Sequence, residues 1–226
     1  QLSLGEYLSQ LQAAGLATLP GTAAEILDDE VRARICPDKL QSAEWLAVMR
    51  AAHSVGLKST ATIMFGHVDE ARHWARHLLA VRALQQETGG FTEFVPLPFV
   101  HMEAPLWRRG SARSGPTLRE ALLMHAVARL VLHPYITNIQ TSWVKMAPQG
   151  AALCLQSGAN DLGGTLMNES ITRAAGGVNG QEFAAAQIVA LAHGLGRPVY
   201  QRTTLYRRVM PGHTPRPARQ EQCTSP

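Results

Sequence analysis

Five polar side chains, Asn160, Asp161, Thr165, Asn168 and Glu169, crowd around a Gly163-Gly164 pair in the segment Ala159-Asn-Asp-Leu-Gly-Gly-Thr-Leu-Met-Asn-Glu-Ser170. Amide, hydroxyl and carboxylate groups at this density suit one wall of a binding site, on a backbone that glycine lets approach a ligand closely. A glycine pair can also cradle a phosphate. Here no Lys or Arg follows until Arg173, and Asp161 and Glu169 repel such an anion. A neutral ligand bearing hydroxyl or amide groups fits better, and either acid can act as a general base or hold a substrate ammonium.

A second group stands at Asn138, Gln140 and Ser142, with Lys145 just beyond. Period-two spacing sends three side chains to one face of a strand. Three polar groups facing a helix layer would be costly unsatisfied burial, so an interior, ligand-facing row is expected. Other polar residues follow β-rich runs: Thr22, Glu25 and Arg32, then His67 and Glu70, then Glu93 within the third run with His101 and Glu103 after it. Glu25, Arg32 and Glu70 also read as helix-surface residues, and His67 as a helix cap. His101 and Glu103 lack a third ligand at useful spacing, so no metal site is expected. Lys145, one of three lysines, has a separate reading as a Schiff-base nucleophile in a barrel lyase.

The elements that must position these groups alternate between short β-runs and amphipathic helices. Residues 3–14 read as helix, Leu16–Leu19 as strand, Asp28–Ile35 and Ser42–Val55 as helices, and Leu57–Phe65 as a strand ending at Gly66-His67. Asp69 is placed to cap a helix over 70–87, closed by Gly89-Gly90 before a strand at Phe91–Leu97. A helix over 117–132 is expected to bury Leu118, Leu122, Val127 and Leu130. Tyr135–Trp143 and Gly158–Leu162 complete five strands, with a short helix after Pro148, a last helix near 180–194 (Ala184, Ile188 and Leu191 on one face) and an extended segment at 197–206.

Strands followed by helices, three of them closed by glycine before the next strand, indicate α/β architecture with a parallel sheet and right-handed crossovers. A complete eight-stranded barrel needs about 250 residues. Five strand-helix units therefore predict a partial TIM-type barrel over 1–206 rather than a complete one, with a basic, disordered tail at 207–226. In such folds reactive groups gather at the carboxyl ends of the strands, where the polar residues above fall.

The formal charge of +4 is local: Lys/Arg and Asp/Glu balance over 1–200, and the excess comes from Arg202, Arg207, Arg208, Arg216 and Arg219 against Glu221. A neutral body with a basic, Pro-containing end is not a nucleic-acid footprint. No signal peptide and no uninterrupted bilayer-length apolar run is found, which argues for a soluble protein without a membrane partner. Cys36, Cys154 and Cys223 are scattered, forming neither a disulfide framework nor a zinc motif, and a reducing cytoplasm is the expected setting.

Five segments in register carry a family resemblance: Pro20-Gly-Thr-Ala-Ala-Glu-Ile-Leu-Asp-Asp-Glu-Val-Arg32, Thr60-Ala-Thr-Ile-Met-Phe-Gly-His67, Gly89-Gly-Phe-Thr-Glu-Phe-Val-Pro-Leu-Pro-Phe99, Asn138-Ile-Gln-Thr-Ser-Trp-Val-Lys145 and Asn160–Ser170. Over about 1–205 the chain resembles the radical SAM enzymes that make 5-deazaflavins, the FO synthase branch that joins tyrosine to 5-amino-6-ribitylaminouracil. Enzymes of the menaquinone futalosine pathway share much of this pattern. The resemblance implies S-adenosylmethionine and a [4Fe-4S] cluster as cofactors, a 5′-deoxyadenosyl radical that takes hydrogen from tyrosine, and a companion FO synthase subunit or domain as partner. It also implies that Thr22, Glu25, Arg32, Ile63, Gly66, His67, Val95 and Leu97 lie around S-adenosylmethionine. Asn138, Gln140, Ser142, Lys145, Asn160, Asp161, Gly163, Gly164, Thr165, Asn168 and Glu169 would hold the substrates. The Cys-x3-Cys-x2-Cys loop that ligates the cluster in this family is absent from the sequence. The chain is therefore expected to be catalytically incomplete as it stands, with a non-catalytic remnant as the alternative.

Overall fold

A computed structural model describes residues 2–166 and 168–210. Its centre is a parallel three-stranded sheet, order β1-β2-β3, formed by Thr18–Leu19, Lys58–Phe65 and Phe91–Pro98. Helices α1 (Leu4–Ala13), α2 (Asp29–Ile35) and α3 (Ser42–Ser54) precede β2, and α4 (Ala71–Thr88) crosses from β2 to β3. Parallel neighbours require such crossovers, because a tight turn cannot reverse the chain twice. Gly89, in the left-handed conformation at φ 60°, stops α4 two residues before β3.

Beyond β3 come α5 (Pro105–Arg108), α6 (Leu118–Leu132), α7 (Trp143–Gln156), α8 (Ile171–Ala174) and α9 (Ala185–Gly194). The expected fourth and fifth strands are reduced to single parallel bridges, Phe94 to Ile139 and Gln140 to Asp161. The five-strand order is thus kept while the ladders are not. The fourth run ends early because α7 begins at Trp143, the residue at which the extended segment was expected to end. Ala147, at φ 57°, bends α7, and the helix resumes at Pro148, whose missing N–H costs nothing in a first turn.

The core lies between the sheet and its helices. On β2, Ala61, Ile63 and Phe65 are fully buried and pack with Trp45, Met49, Leu78, Val81 and Phe94. Thr60, Thr62 and Met64 alternate with them on the other, half-buried face, as a two-residue period demands.

Several expectations need correction. On α6 the buried stripe is Ala121, Met124, His125, Ala128 and Leu132, whereas Leu118, Val127 and Leu130 are exposed and Leu122 is half-buried. The small alanines let the helix approach the sheet closely, and the larger side chains are left outside. Asp69 does not cap α4, where Glu70 takes that position; its carboxylate turns back to the main chain ahead of it. The last helix starts at Ala185, and Ala184 precedes it. Residues 201–209 are not extended but form a small hairpin: Arg202 bridges Arg208, and the Val209 N–H donates to the Gln201 carbonyl at 2.8 Å. Arg207 and Arg208 therefore belong to the folded body rather than to a tail, and the rest of the predicted tail, from 211, lies outside the described residues. No helix of the described residues is long and apolar enough to cross a membrane.

Candidate functional site

Register decides which side chains share the open face of the sheet. Thr60 pairs with Glu93, Thr62 with Val95 and Met64 with Leu97, so these six point to the same side, opposite the helices. The bridge between Phe94 and Ile139 puts Asn138 and Gln140 on that side too, and Gln140 is in turn paired with Asp161. A polar row therefore crosses four adjacent chain segments on this face, Thr60 beside Glu93 and Gln140 beside Asp161, stepping diagonally from Glu93 to Gln140 because Gln140 lies opposite Val95. Gln140 lies just before α7 and Asp161 just before Gly163-Gly164, at the carboxyl ends of their short runs, where this architecture builds its sites.

The row is tied together by polar contacts. Gln140 Nε2 donates to Glu93 Oε2 at 2.9 Å. Arg202, reaching in from the hairpin, donates through Nη2 to the same oxygen at 3.3 Å and through Nε to Asp161 Oδ2. The Tyr206 hydroxyl donates to Glu93 Oε2, and the Arg202 guanidinium lies 4.0 Å above the Tyr206 ring. Asp161 Oδ1 accepts from the Gly163 N–H at 2.6 Å. Gly163 holds φ 71°, and a Cβ there would come within 2.9 Å of Gln140 Oε1, so glycine is needed for both reasons. Burial pushes the Glu93 carboxyl above its ordinary range, with Asp161 adding to it, against the lowering effect of Tyr206, Arg202 and Gln140. Burial and the same carboxylates raise the Tyr206 phenol as well, keeping it protonated and a donor.

The segment after β1 forms a second wall. Ala23 and Glu25 adopt left-handed conformations, φ 64° and 45°, unusual for residues with a Cβ. Surrounding contacts over-determine this strain, as is common where a loop serves a ligand. Arg32, 1% exposed, donates to the carbonyls of Ala23, Ala24 and Leu40, Trp45 Nε1 donates to the Thr22 carbonyl at 3.1 Å, and the Glu25 carbonyl accepts from the Met64 N–H at 2.9 Å. Arg32 is thus spent on the main chain behind the loop, while Thr22 is exposed and the Glu25 carboxylate pairs with Lys39 at 2.6 Å.

The turn after β2 is equally closed. Gly66 and His67 N–H groups donate to the Asp69 carboxylate, and a Cβ at Gly66 would lie 2.3 Å from Pro116 Cδ. His67 is 1% exposed; its Nδ1 accepts from the Val68 N–H at 2.7 Å and Nε2 donates to the Met64 carbonyl at 2.9 Å. Burial lowers its pKa, which agrees with a neutral ring whose two nitrogens are both engaged. Ile63 faces the helix layer, so only its main chain borders the open face, whereas Val95 and Leu97 present side chains to it.

The glycine-rich segment divides. Asp161 and Gly163 belong to the row, but Asn160 points the other way: its Oδ1 accepts from the Ile139 N–H and from Arg129 Nη2, both at 2.8 Å, stapling the fifth run to the fourth and to α6. The Gly164 carbonyl accepts from Trp143 Nε1 at 2.9 Å, and the Thr165 carbonyl accepts from the Phe183 N–H. Glu169 accepts from the Thr172 N–H at 2.8 Å, and Asn168 Oδ1 accepts from Gln181 Nε2 at 2.8 Å. Ser142 stands at the N-cap of α7, and Asn138 Nδ2 donates to the Thr92 carbonyl at 2.8 Å. Lys145 lies 3.5 Å from Thr172 Oγ1; burial lowers its pKa, opposed by nearby Glu169. Sequence spacing alone noted Glu93 within the third strand without giving it a role in the candidate site, and missed Arg202 and Tyr206. The signal was an acid in register with Val95 and Leu97 on an apolar strand, and arginines interleaved with Tyr200 and Tyr206.

Fold and site together describe a parallel α/β sheet with a polar row at the strand ends, the class in which one open face meets small-molecule ligands. The family described as the CofH/MqnC C-terminal region matches residues 88–209, and the chain belongs to it. The FO synthases of Nocardia farcinica and Mycobacterium tuberculosis are 55% and 54% identical to it, covering 92% and 91% of this chain and 24% of each relative. The 5-amino-6-(D-ribitylamino)uracil–L-tyrosine 4-hydroxyphenyl transferase of Methanopyrus kandleri is 50% identical over 90% of this chain and 55% of its own length. The chain thus spans about a quarter to about half of the curated relatives it matches.

Proposed function

We propose that the chain supplies the C-terminal strand-helix units of a cytoplasmic radical SAM barrel that couples tyrosine to 5-amino-6-(D-ribitylamino)uracil in deazaflavin formation. The observation that carries this reading is the 50% identity, across nine-tenths of the chain, to a transferase whose name states that reaction. The structure offers it a fitting surface: parallel runs, an apolar patch from Met64, Val95 and Leu97, and a polar row beside it.

S-adenosylmethionine bound with a [4Fe-4S] cluster supplies hydrogen-abstracting radical chemistry in such enzymes. The strained loop bearing Thr22 and Glu25, the main chain at Ile63 and Gly66, and the side chains of Val95 and Leu97 suit one flank of that cofactor, with Arg32 and His67 supporting from behind. Among the described residues the cluster finds no ligand set: Cys36, just after α2, and Cys154, on α7, are both buried, and burial raises both thiols. Its ligands, and the companion subunit or domain, belong to other parts of the enzyme in this reading. The chain's own groups bind and orient: Gln140 and Lys145 offer substrate contacts, Ser142 and Asn138 flank them, Asp161 fixes Arg202 and the Gly163 turn, and Asn160, Gly164, Thr165, Asn168 and Glu169 hold the loop that carries Asp161.

Anaerobic reconstitution of the full-length enzyme, followed by assay with tyrosine and the ribitylaminouracil, is expected to give the coupled product. Turnover of a futalosine-pathway substrate in its place would move the chain to the menaquinone branch, and no turnover of either would sink the reading.

A further inference from the structure

Glu93 has an asymmetric environment. Gln140, Arg202 and Tyr206 all donate to Oε2, from segments 47 to 113 residues away in sequence. Among the described residues no donor reaches Oε1, and the Glu93 side chain keeps 8% of its surface exposed. Two neighbours of Glu93 are spent: Arg202 is shared between Glu93, Asp161 and the Thr203 carbonyl, and both Asp161 oxygens are engaged. Holding one oxygen of a nearly buried carboxyl with three donors fixes its plane and aims the other oxygen. A proton carried by such a group goes to Oε1, because Oε2 already accepts three hydrogens.

Two of the three anchoring residues come from one element. The hairpin over 201–209 is held by its own main-chain bonds, and Tyr206 is at φ 60° in its turn, a strained conformation for an aromatic residue. That backbone sets the Tyr206 hydroxyl on Glu93 and its ring beneath Arg202.

We propose that Glu93 is a substrate-contacting carboxyl, presenting Oε1 to an O–H or N–H of the bound substrate, and that Arg202 and Tyr206 of the 201–209 hairpin are positioning residues for it. Burial, which favours the protonated acid, agrees with a group able either to accept or to donate there. The choice of probes rests on the reading of the chain as part of a tyrosine–ribitylaminouracil transferase. Both substrates carry amine or amino-acid N–H groups and hydroxyls, so separate arms decide between them.

The test measures equilibrium binding of tyrosine alone and of 5-amino-6-(D-ribitylamino)uracil alone to the reconstituted full-length enzyme, together with turnover. Glu93→Gln is expected to weaken one of the two by about tenfold or more, the worth of a hydrogen bond to a charged group. Tyr206→Phe and Arg202→Lys should weaken the same ligand by smaller factors, while Thr204→Ala, at the hairpin tip, leaves both affinities unchanged. Tyr206→Phe removes a single hydroxyl and decides the matter should Glu93→Gln fail to fold. If the variants lower the melting temperature without moving either affinity, the hairpin is only a structural plug and the proposal is overturned; failure of the unaltered enzyme to bind either probe overturns it too. Binding without turnover would instead reject the assigned reaction, and the comparison of affinities would still judge Glu93.

Discussion

Between Lys58 and Pro98 two eight-residue strands pair in parallel along most of their length, whereas between Tyr135 and Leu162 the same order rests on single bridges at Ile139 and Asp161. The first region is held by a backbone ladder over a packed core, which many apolar side chains can support. The second has only four main-chain bonds across its runs and depends in addition on particular polar side chains: Asn160 on the Ile139 N–H, Arg129 on Asn160, Arg202 between Asp161 and Glu93. A frame of the first kind is stiff, and one of the second kind can be retuned residue by residue. The polar row lies where the two meet, with Glu93 on the ladder and Gln140 and Asp161 beyond it.

The contrast can be broken from either side. Phe94→Ala, which empties a fully buried position on β3, is expected to cost about 3–5 kcal/mol in urea unfolding. A cost below about 1 kcal/mol would show that the ladder is not the stable half. Arg202→Ala should cost about 2 kcal/mol, since it strips charged hydrogen bonds from two carboxylates. Its hydrogen-exchange signature should be local, with faster exchange at Gly163 and over 201–209 and unchanged protection in β2. Equal loss in β2 would erase the distinction drawn above.

Acid acts on the ladder half. Burial lowers the pKa of His53 to about 4 and of His77 to about 3, below the ordinary value of 6.5. A histidine held neutral in the fold stabilises it fully above its unfolded pKa, and that contribution is lost as pH falls below it. The urea midpoint should therefore drop progressively from pH 6.5 towards pH 4, and less steeply in His77→Gln. A midpoint flat across that window would contradict the burial of these rings. The smallest effect is expected from Arg50→Ala on the outer surface, where the ion pair with Glu87 is about half exposed; a change within about 0.5 kcal/mol would mark the level below which neither half is being tested.

Much of the ladder half was legible in residue order. Ser42–Ser54, Lys58–Phe65, Ala71–Thr88 and Phe91–Pro98 fall within a residue or two of the expected segments, because helical and strand periodicities and the glycine stop at Gly89 are local properties. The polar half was legible only in part. Leu118 and Leu130 were expected inside and lie outside, since rotation of α6 follows from the close approach that Ala121 and Ala128 permit, which is a property of the pair of surfaces. Asn160 and Asp161 are neighbours in the same dense cluster, yet only Asp161 joins the row, because adjacent residues of an extended run face opposite ways.

By itself the sequence determined the alternation of strands and helices, the family, and the presence of a polar group around Gly163-Gly164, all consequences of periodicity, spacing and residue type. Tertiary structure alone decided which of those polar groups share a face, that Arg32 and His67 are turned to the main chain, and that Glu93 meets Arg202 and Tyr206. Those contacts bridge more than a hundred residues, and their geometry comes from strand register and from where a hairpin returns, neither of which has a local signature in the chain.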